Sequence, residues 1–226
     1  EPWRITVSGA PALDHLHSLH FLTTSELETR YLLSLNPSPL LVTFHPVTLE
    51  YEQVEWQIDE LLLALEASGL PIVFTMPNAD TGNSVVRKKI AEFSQTHSRA
   101  WCLDNLGTQA YFSMMKHVAA MVGNSSSGII EAASLELPVV NIGSRQGGRI
   151  RAANVIDVDY GHEEIGQAIR KATDPAFRKA LHHLRNPYGE GHAAERIVEC
   201  LKTVELDEQL LAKRFFDASP VAEGAK

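Results

Sequence analysis

Three adjacent serines lie between two glycines in Gly123-Asn124-Ser125-Ser126-Ser127-Gly128, after an apolar run and before a segment with helical spacing. One serine is enough to cap a helix, so the others exceed that need. Serine hydroxyls and the unpaired N–H groups of a helix's first turn together make a cradle for phosphate. No Gly-Lys-Ser/Thr follows, so the stretch is not a Walker loop, and it lacks the GxGxxG spacing of a dinucleotide site. Glu131 comes one turn further in. A carboxylate there either steadies the helix N-terminus, by roughly 0.3–1 kcal/mol, or accepts hydrogen bonds from two vicinal ribose hydroxyls. Beside a phosphate cradle the ribose role is the better assignment.

Other residues extend the pattern. Arg145, Arg149 and Arg151 crowd into GSRQGGRIR, a local positive cluster in an acidic chain. Guanidinium groups pair well with phosphate oxygens, and equally serve as ordinary surface pairs. His45, in TFHPVT, stands at the end of an apolar run on a rigid His-Pro turn. An imidazole there can bind phosphate or move a proton near neutral pH. Asn78 and Asp80 occupy the equivalent place after the next apolar run, where they serve a ligand or simply form the turn. His15, His17 and His20 have no Cys or carboxylate pattern beside them, and no metal site is expected. Trp3, Trp56 and Trp101 read as packing.

These residues need a frame. Short apolar runs at 40–44, 71–75, 99–103, 119–123, 138–142 and 154–158 alternate with helical patterns at 50–67, 85–96, 108–117, 128–135 and 163–172. Before them, 4–9 reads as a strand, and 11–20 and 25–35 as helices; after them, 175–183 and 193–213 read as helices, with a loose tail beyond Asp217. The alternation predicts a doubly wound α/β domain, a parallel sheet covered on both faces. Ligands of such sheets sit beyond the carboxyl ends of the strands. The loops in that place are HPVTLE, MPNADTGN, DNLGT, GNSSSG and GSRQGGR, all rich in small polar, imidazole or charged residues.

Composition bounds the alternatives. The 226 residues suffice for one large α/β domain, and 44% hydrophobic with 21% charged residues is ordinary for a globular chain. A net charge of -8 argues against a general nucleic-acid binder. Two cysteines make neither a disulfide framework nor a zinc site, and a reducing cytoplasm is the expected compartment. No apolar run approaches the ~20 residues of a membrane helix. The chain opens on Glu1 straight into a strand-like segment, the look of a piece of a longer protein.

VSGAPALD, LVTFHPVTLE, PNADTGN, VGNSSSGIIEAASLELPVVNIGSRQGGR and NVIDV, in this order and spacing, resemble the UDP-N-acetylglucosamine 2-epimerases, and most closely the hydrolysing branch used in sialic-acid and related nonulosonic-acid synthesis. The resemblance runs from about residue 4 to about 201. It implies a Rossmann-like fold, the C-terminal half of a two-domain GT-B architecture. On this reading 1–36 is the end of an N-terminal domain or linker, 37–204 the nucleotide-binding domain, and 205–226 a C-terminal helix and tail. It also implies roles. Ser125 and Ser126 hold a diphosphate with the surrounding Asn124, Ser127 and Gly128. Glu131 takes the ribose hydroxyls, Arg145 and Arg149 approach the phosphates, and the backbone of Leu106 and Gly107 holds the uracil. His45 assists departure of UDP, and Asn78 and Asp80 lie near the nucleotide. The implied reaction converts UDP-GlcNAc or a related UDP-sugar to a free ManNAc-type sugar and UDP, without a cofactor. The implied partner is the N-terminal domain of the parent, whose acids move the C2 proton; self-association stays open. A GT-B glycosyltransferase domain and a non-catalytic UDP-sugar-binding module are the alternatives.

Overall fold

The computed structural model describes residues 2–212. Six short strands form one parallel sheet: β1 (Leu40–Thr43), β2 (Ile72–Thr75), β3 (Ala100–Leu103), β4 (Ala120–Gly123), β5 (Val139–Ile142) and β6 (Val155–Val158). Their order is β3-β2-β1-β4-β5-β6. All five pairings are parallel, with Leu40 opposite both Ile72 and Ala120. The central strands β1, β4 and β5 are buried along their whole length. Strands buried on both faces need continuous apolar sequence rather than alternation, which is how LLVT and PVVNI read.

The helices are α1 (Asp14–Ser18), α2 (Thr24–Tyr31), α3 (Val54–Ser68), α4 (Asn83–Thr96), α5 (Gly107–His117), α6 (Ser126–Ile130), α7 (His162–Ala172), α8 (Pro175–Ala180), α9 (Ala193–Thr203) and α10 (Glu208–Leu211). They cover the two faces of the sheet. On one face Leu40, Val42 and Phe44 meet Ile58, Leu61 and Leu65 of α3, Ile90 of α4 and Ile169 of α7. On the other, Leu41, Val73, Met121 and Val139 meet Leu27 of α2 and Met114 and Met115 of α5. Successive strand residues point to opposite faces, so one four-residue strand feeds both cores.

The strand order reverses between β1 and β4, and the chain leaving β4 passes close against the end of β1, where Asn124 N–H donates to the Thr43 carbonyl. Gly123 makes the approach possible. Its φ is 130°, and a Cβ there would stand 2.0 Å from the carbonyl oxygen of Thr43. Gly128 has the same logic in α6, where a Cβ would meet Val139 Cγ1 at 2.9 Å. Both glycines thus serve close packing inside the domain.

Three expected elements differ. Residues 4–9 form no strand: a 3-10 turn covers Pro2–Arg4, and Ile5 and Val7 are exposed. β propensity makes a strand only beside a pairing edge. Here the segment is tied instead to the C-terminal part, by Arg4 to the Leu210 carbonyl (2.8 Å), Ala10 N–H to the Tyr188 carbonyl (2.8 Å) and Arg196 to the Ser8 carbonyl (3.3 Å). The expected helix at 128–135 begins earlier and is broken at Glu131, after which a 3-10 turn runs over Ala132–Leu135. The expected helix at 193–213 is interrupted after Thr203, and Asp207 caps a new start by accepting the Leu210 N–H. Lys213 and the tail beyond Asp217 lie outside the described residues. No described helix is long and apolar enough to cross a membrane.

Candidate functional site

Asn124 organises the strand ends. It follows β4, is fully buried, and its N–H donates to the Thr43 carbonyl at 3.0 Å. Its side chain grips the backbone of His45: Oδ1 accepts the His45 N–H (2.7 Å) and Nδ2 donates to the His45 carbonyl (2.8 Å). Its own carbonyl accepts from Arg145 Nη1 (3.2 Å) and from the buried Gln146 Nε2 (2.8 Å). One asparagine therefore joins the loops after β1, β4 and β5. The serines follow at once. Ser125 caps α6, accepting the Ser127 N–H at 3.4 Å, and its carbonyl takes the Gly128 N–H at 3.2 Å. Ser125, Ser126 and Ser127 stay half-buried.

His45 is also half-buried. Its Nδ1 accepts the Asn78 N–H at 3.1 Å, with Asn78 Oδ1 equally near, and Asn78 Nδ2 donates to Asp80 at 2.7 Å. Nδ1 therefore faces both a donor and an acceptor of Asn78, and the contact serves either tautomer of the ring. Burial pushes the His45 pKa below its ordinary 6.5, and the Arg145 charge pushes the same way against the opposing Asn78 and Asp80 contacts. The imidazole is neutral at pH 7. A histidine with a depressed folded pKa stabilises the fold fully above 6.5, and that contribution is lost as pH falls through the folded pKa. Proton NMR is expected to show the His45 midpoint below 6.5; a midpoint at or above 6.5 would contradict the buried, arginine-facing geometry.

Glu131 sits at the break between α6 and the following 3-10 turn, 8% exposed. Its Oε2 has no hydrogen-bond partner. Burial raises its pKa above 4.5, although the Ser127 hydroxyl and the Arg149 charge favour the ionised form. Beside it, a cavity of about 370 Å³ is lined by Leu106, Gly107, Tyr111 and Ser127, with Thr75 from β2 and Asp104 and Asn105 from the β3 loop. This is within the size range of small-molecule sites. The Leu106 carbonyl is taken by the Tyr31 hydroxyl at 3.2 Å, and the Gly107 N–H by Asn105 Oδ1 at 2.8 Å. A wider groove of about 840 Å³ runs between Gly9 and Arg196, but no strand-end residue lines it.

The expected residues thus fall into two groups around the switch point. His45, Asn78, Asp80, Asn124 and Arg145 form one hydrogen-bonded chain. Leu106, Gly107 and Ser127 line a cavity, and Ser127 ties it to Glu131, whose carboxylate also feels the Arg149 charge. Arg151 joins neither: it pairs with Asp157 at 3.2 Å and donates to the Gln146 carbonyl at 2.8 Å. Its part in the arginine cluster is to brace the loop. Sequence reasoning missed Tyr111, whose hydroxyl lies among the side chains of Ser127, Ser125 and Thr43. Tyr111 is one turn beyond Gly107, on the first-turn face of α5, and that spacing was the available signal. Among the described residues no group of three or more His, Cys, Asp or Glu could hold a metal.

A six-stranded parallel sheet with a reversed strand order and helices on both faces defines a domain of the doubly wound α/β class, here with hydroxyls, an imidazole and a guanidinium in the loops at its strand ends. Residues 1–202 match the sequence model of the UDP-N-acetylglucosamine 2-epimerases, and the chain belongs to that family. It is 36% identical over 205 residues to the UDP-N,N'-diacetylbacillosamine 2-epimerase (hydrolyzing) of Legionella pneumophila, covering 91% of this chain and 53% of that protein. It is also 36% identical over 220 residues to the GDP/UDP-N,N'-diacetylbacillosamine 2-epimerase (hydrolyzing) of Campylobacter jejuni, covering 96% of this chain and 56% of that protein. The chain spans about half the length of these curated relatives. The fold is shared with the crystal structure of UDP-GlcNAc 2-epimerase from Neisseria meningitidis bound to UDP-GlcNAc, with a TM-score of 0.72 at 19% identity, over 89% of this chain and 56% of that one.

Proposed function

We propose that this chain is the UDP-binding half of a hydrolysing UDP-sugar 2-epimerase. The observation that carries the reading is Glu131: a carboxylate nearly removed from water, with one oxygen unpartnered, hydrogen-bonded to Ser127 of a hydroxyl-lined cavity at the strand ends. An orphaned buried acceptor of this kind is costly unless a ligand's donors complete it. A ribose supplies two adjacent hydroxyls. The uracil then takes the cavity beside Leu106 and Gly107, and the diphosphate lies over Ser125 and Ser126 toward Arg145, with Arg149 approaching from its loop. His45 hydrogen-bonds the oxygen on which UDP departs. Asn78 and Asp80 hold the ring in that orientation. On this reading the acids that move the C2 proton are supplied by another part of the parent protein. The substrate is UDP-GlcNAc or a related UDP-linked amino sugar, and the products are a free ManNAc-type sugar and UDP.

Calorimetric titration tests the reading. The chain is expected to bind UDP, with GDP weaker, and Ser126→Ala to bind UDP about tenfold more weakly, as for the loss of one hydrogen bond to a charged group. GDP belongs in the comparison because one relative is named for both nucleotides. Equal affinity for the two, unaffected by Ser126→Ala, would sink the assignment of the cradle.

A further inference from the structure

The loop that carries His45 continues into a 3-10 turn, Thr48–Gln53, and Glu50 in that turn makes contacts the binding reading does not use. Its Oε2 accepts the Tyr160 hydroxyl at 2.6 Å and Gln57 Nε2 at 2.8 Å, and its Oε1 accepts the Ser144 hydroxyl. Ser144 directly precedes Arg145. Tyr160 closes the ring from the end of β6. Its oxygen also takes the Ser144 N–H, and its own proton is held firmly, the pKa pushed up to about 12 by burial and by Glu50. Burial works to raise the Glu50 pKa, yet Ser144, Tyr160 and Gln57 together hold it below 4.5, so all its acceptor sites stay charged at neutral pH. The turn has no room to slide. Gly143, at a φ of 69°, lies so close to the Tyr160 ring that a Cβ there would fall 2.1 Å from it.

We propose that Glu50 is a positioning residue: through Ser144 it fixes the turn that aims Arg145 at the phosphate side of the site. The turn is then held at both ends, by Asn124 at Arg145 and Gln146, and by Glu50 at Ser144. A carboxylate that accepts three donors is stronger and more directional than a neutral acceptor in the same place. The consequence for binding rests on the diphosphate reading above; the consequence for Arg145 does not.

His45 reports on Arg145 without any ligand, because the Arg145 charge disfavours the protonated imidazole while Asp80 and Asn78 favour it. The experiment is a proton NMR titration of His45 in the unliganded chain. Ser144→Ala and Glu50→Gln are each expected to raise the midpoint toward 6.5, as Arg145→Ala does, and neither is expected to raise it further when combined with Arg145→Ala. The sign discriminates. Removing the Glu50 charge by itself would lower the midpoint, so a rise requires that Arg145 has moved. Ser144 is exposed, and its truncation keeps Glu50 and decides the matter if Glu50→Gln fails to fold. A midpoint unchanged or lowered in Ser144→Ala, or unmoved in Arg145→Ala, overturns the proposal. UDP titration of the same variants adds a second reading: about tenfold weaker binding, not additive with Arg145→Ala. If the unsubstituted chain binds no UDP, the diphosphate reading fails in this chain while the histidine titration still decides the role of Glu50.

Discussion

Asn124→Ala is expected to lose about 3 kcal/mol of stability, measured by urea unfolding, and to lose UDP binding with it. The truncation leaves the His45 N–H and the His45 carbonyl facing a void, since Asn124 supplied both partners. Each unsatisfied buried group costs roughly 1–3 kcal/mol. The loss does not stop at the fold. Asn124 is the hydrogen-bonded link between the His45 and Arg145 loops, so the imidazole and the guanidinium lose their common reference. Asn124→Asp separates the two bonds. It keeps an acceptor for the His45 N–H but sets a carboxylate oxygen against the His45 carbonyl, and protonation restores a donor there. Its deficit is therefore expected to shrink on acidification, while that of Asn124→Ala does not. A loss below about 1 kcal/mol in Asn124→Ala would mean that the loops hold themselves without the staple.

Much of this scaffold is legible in the sequence, because the sheet is buried on both faces. LLVT, IVFT and VVNI are mostly apolar with no strict alternation, polar only at Thr43, Thr75 and Asn141, as strands buried on both faces are. The runs at 40–44, 71–75, 99–103, 119–123, 138–142 and 154–158 each contain a strand of the sheet. The failure at 4–9 has the opposite cause. RITVSGA has the residues of a strand, but a strand needs a neighbour, and sequence does not say whether an edge is free. The breaks at Glu131 and after Thr203 are similar. Apolar spacing shows which face is buried, not where tertiary contacts tighten or stop a helix.

The candidate site follows the same division. Its loops were found by position, because strand ends at a sheet reversal are where polar residues collect. The pairings within it were not. His45 and Asn124 are 79 positions apart, and Glu50 and Tyr160 are 110 apart. Arg151 shows the limit plainly: three arginines in seven residues read as one cluster, yet Asp157 on β6 takes one of them. Tyr111 is hidden for another reason. An aromatic in the first turns of an amphipathic helix looks like core until the cavity beside it is seen.

Glu131→Gln is expected to make the chain more stable at neutral pH and to weaken UDP binding by roughly tenfold to a hundredfold, the worth of a hydrogen bond to a charged group. The two effects have one origin. The folded-state pKa of Glu131 is raised, so the folded chain holds this proton more tightly than the unfolded one. Its contribution to stability is therefore greatest below 4.5 and falls as pH rises through the folded pKa. Above its folded pKa the carboxylate is ionised against the burial that disfavours it, and glutamine of nearly the same shape removes that cost. The gain is expected to be about 1 kcal/mol, seen as a higher unfolding temperature at pH 7. It should disappear below pH 4.5, where the glutamic acid is neutral in both states. On the ribose reading, the ligand's two hydroxyls would replace the water this buried carboxylate has lost. If Glu131→Gln neither stabilises the unliganded chain nor weakens UDP binding, the carboxylate is a structural group and the ribose lies elsewhere. If it stabilises without affecting UDP, the buried charge is real but belongs to a different ligand.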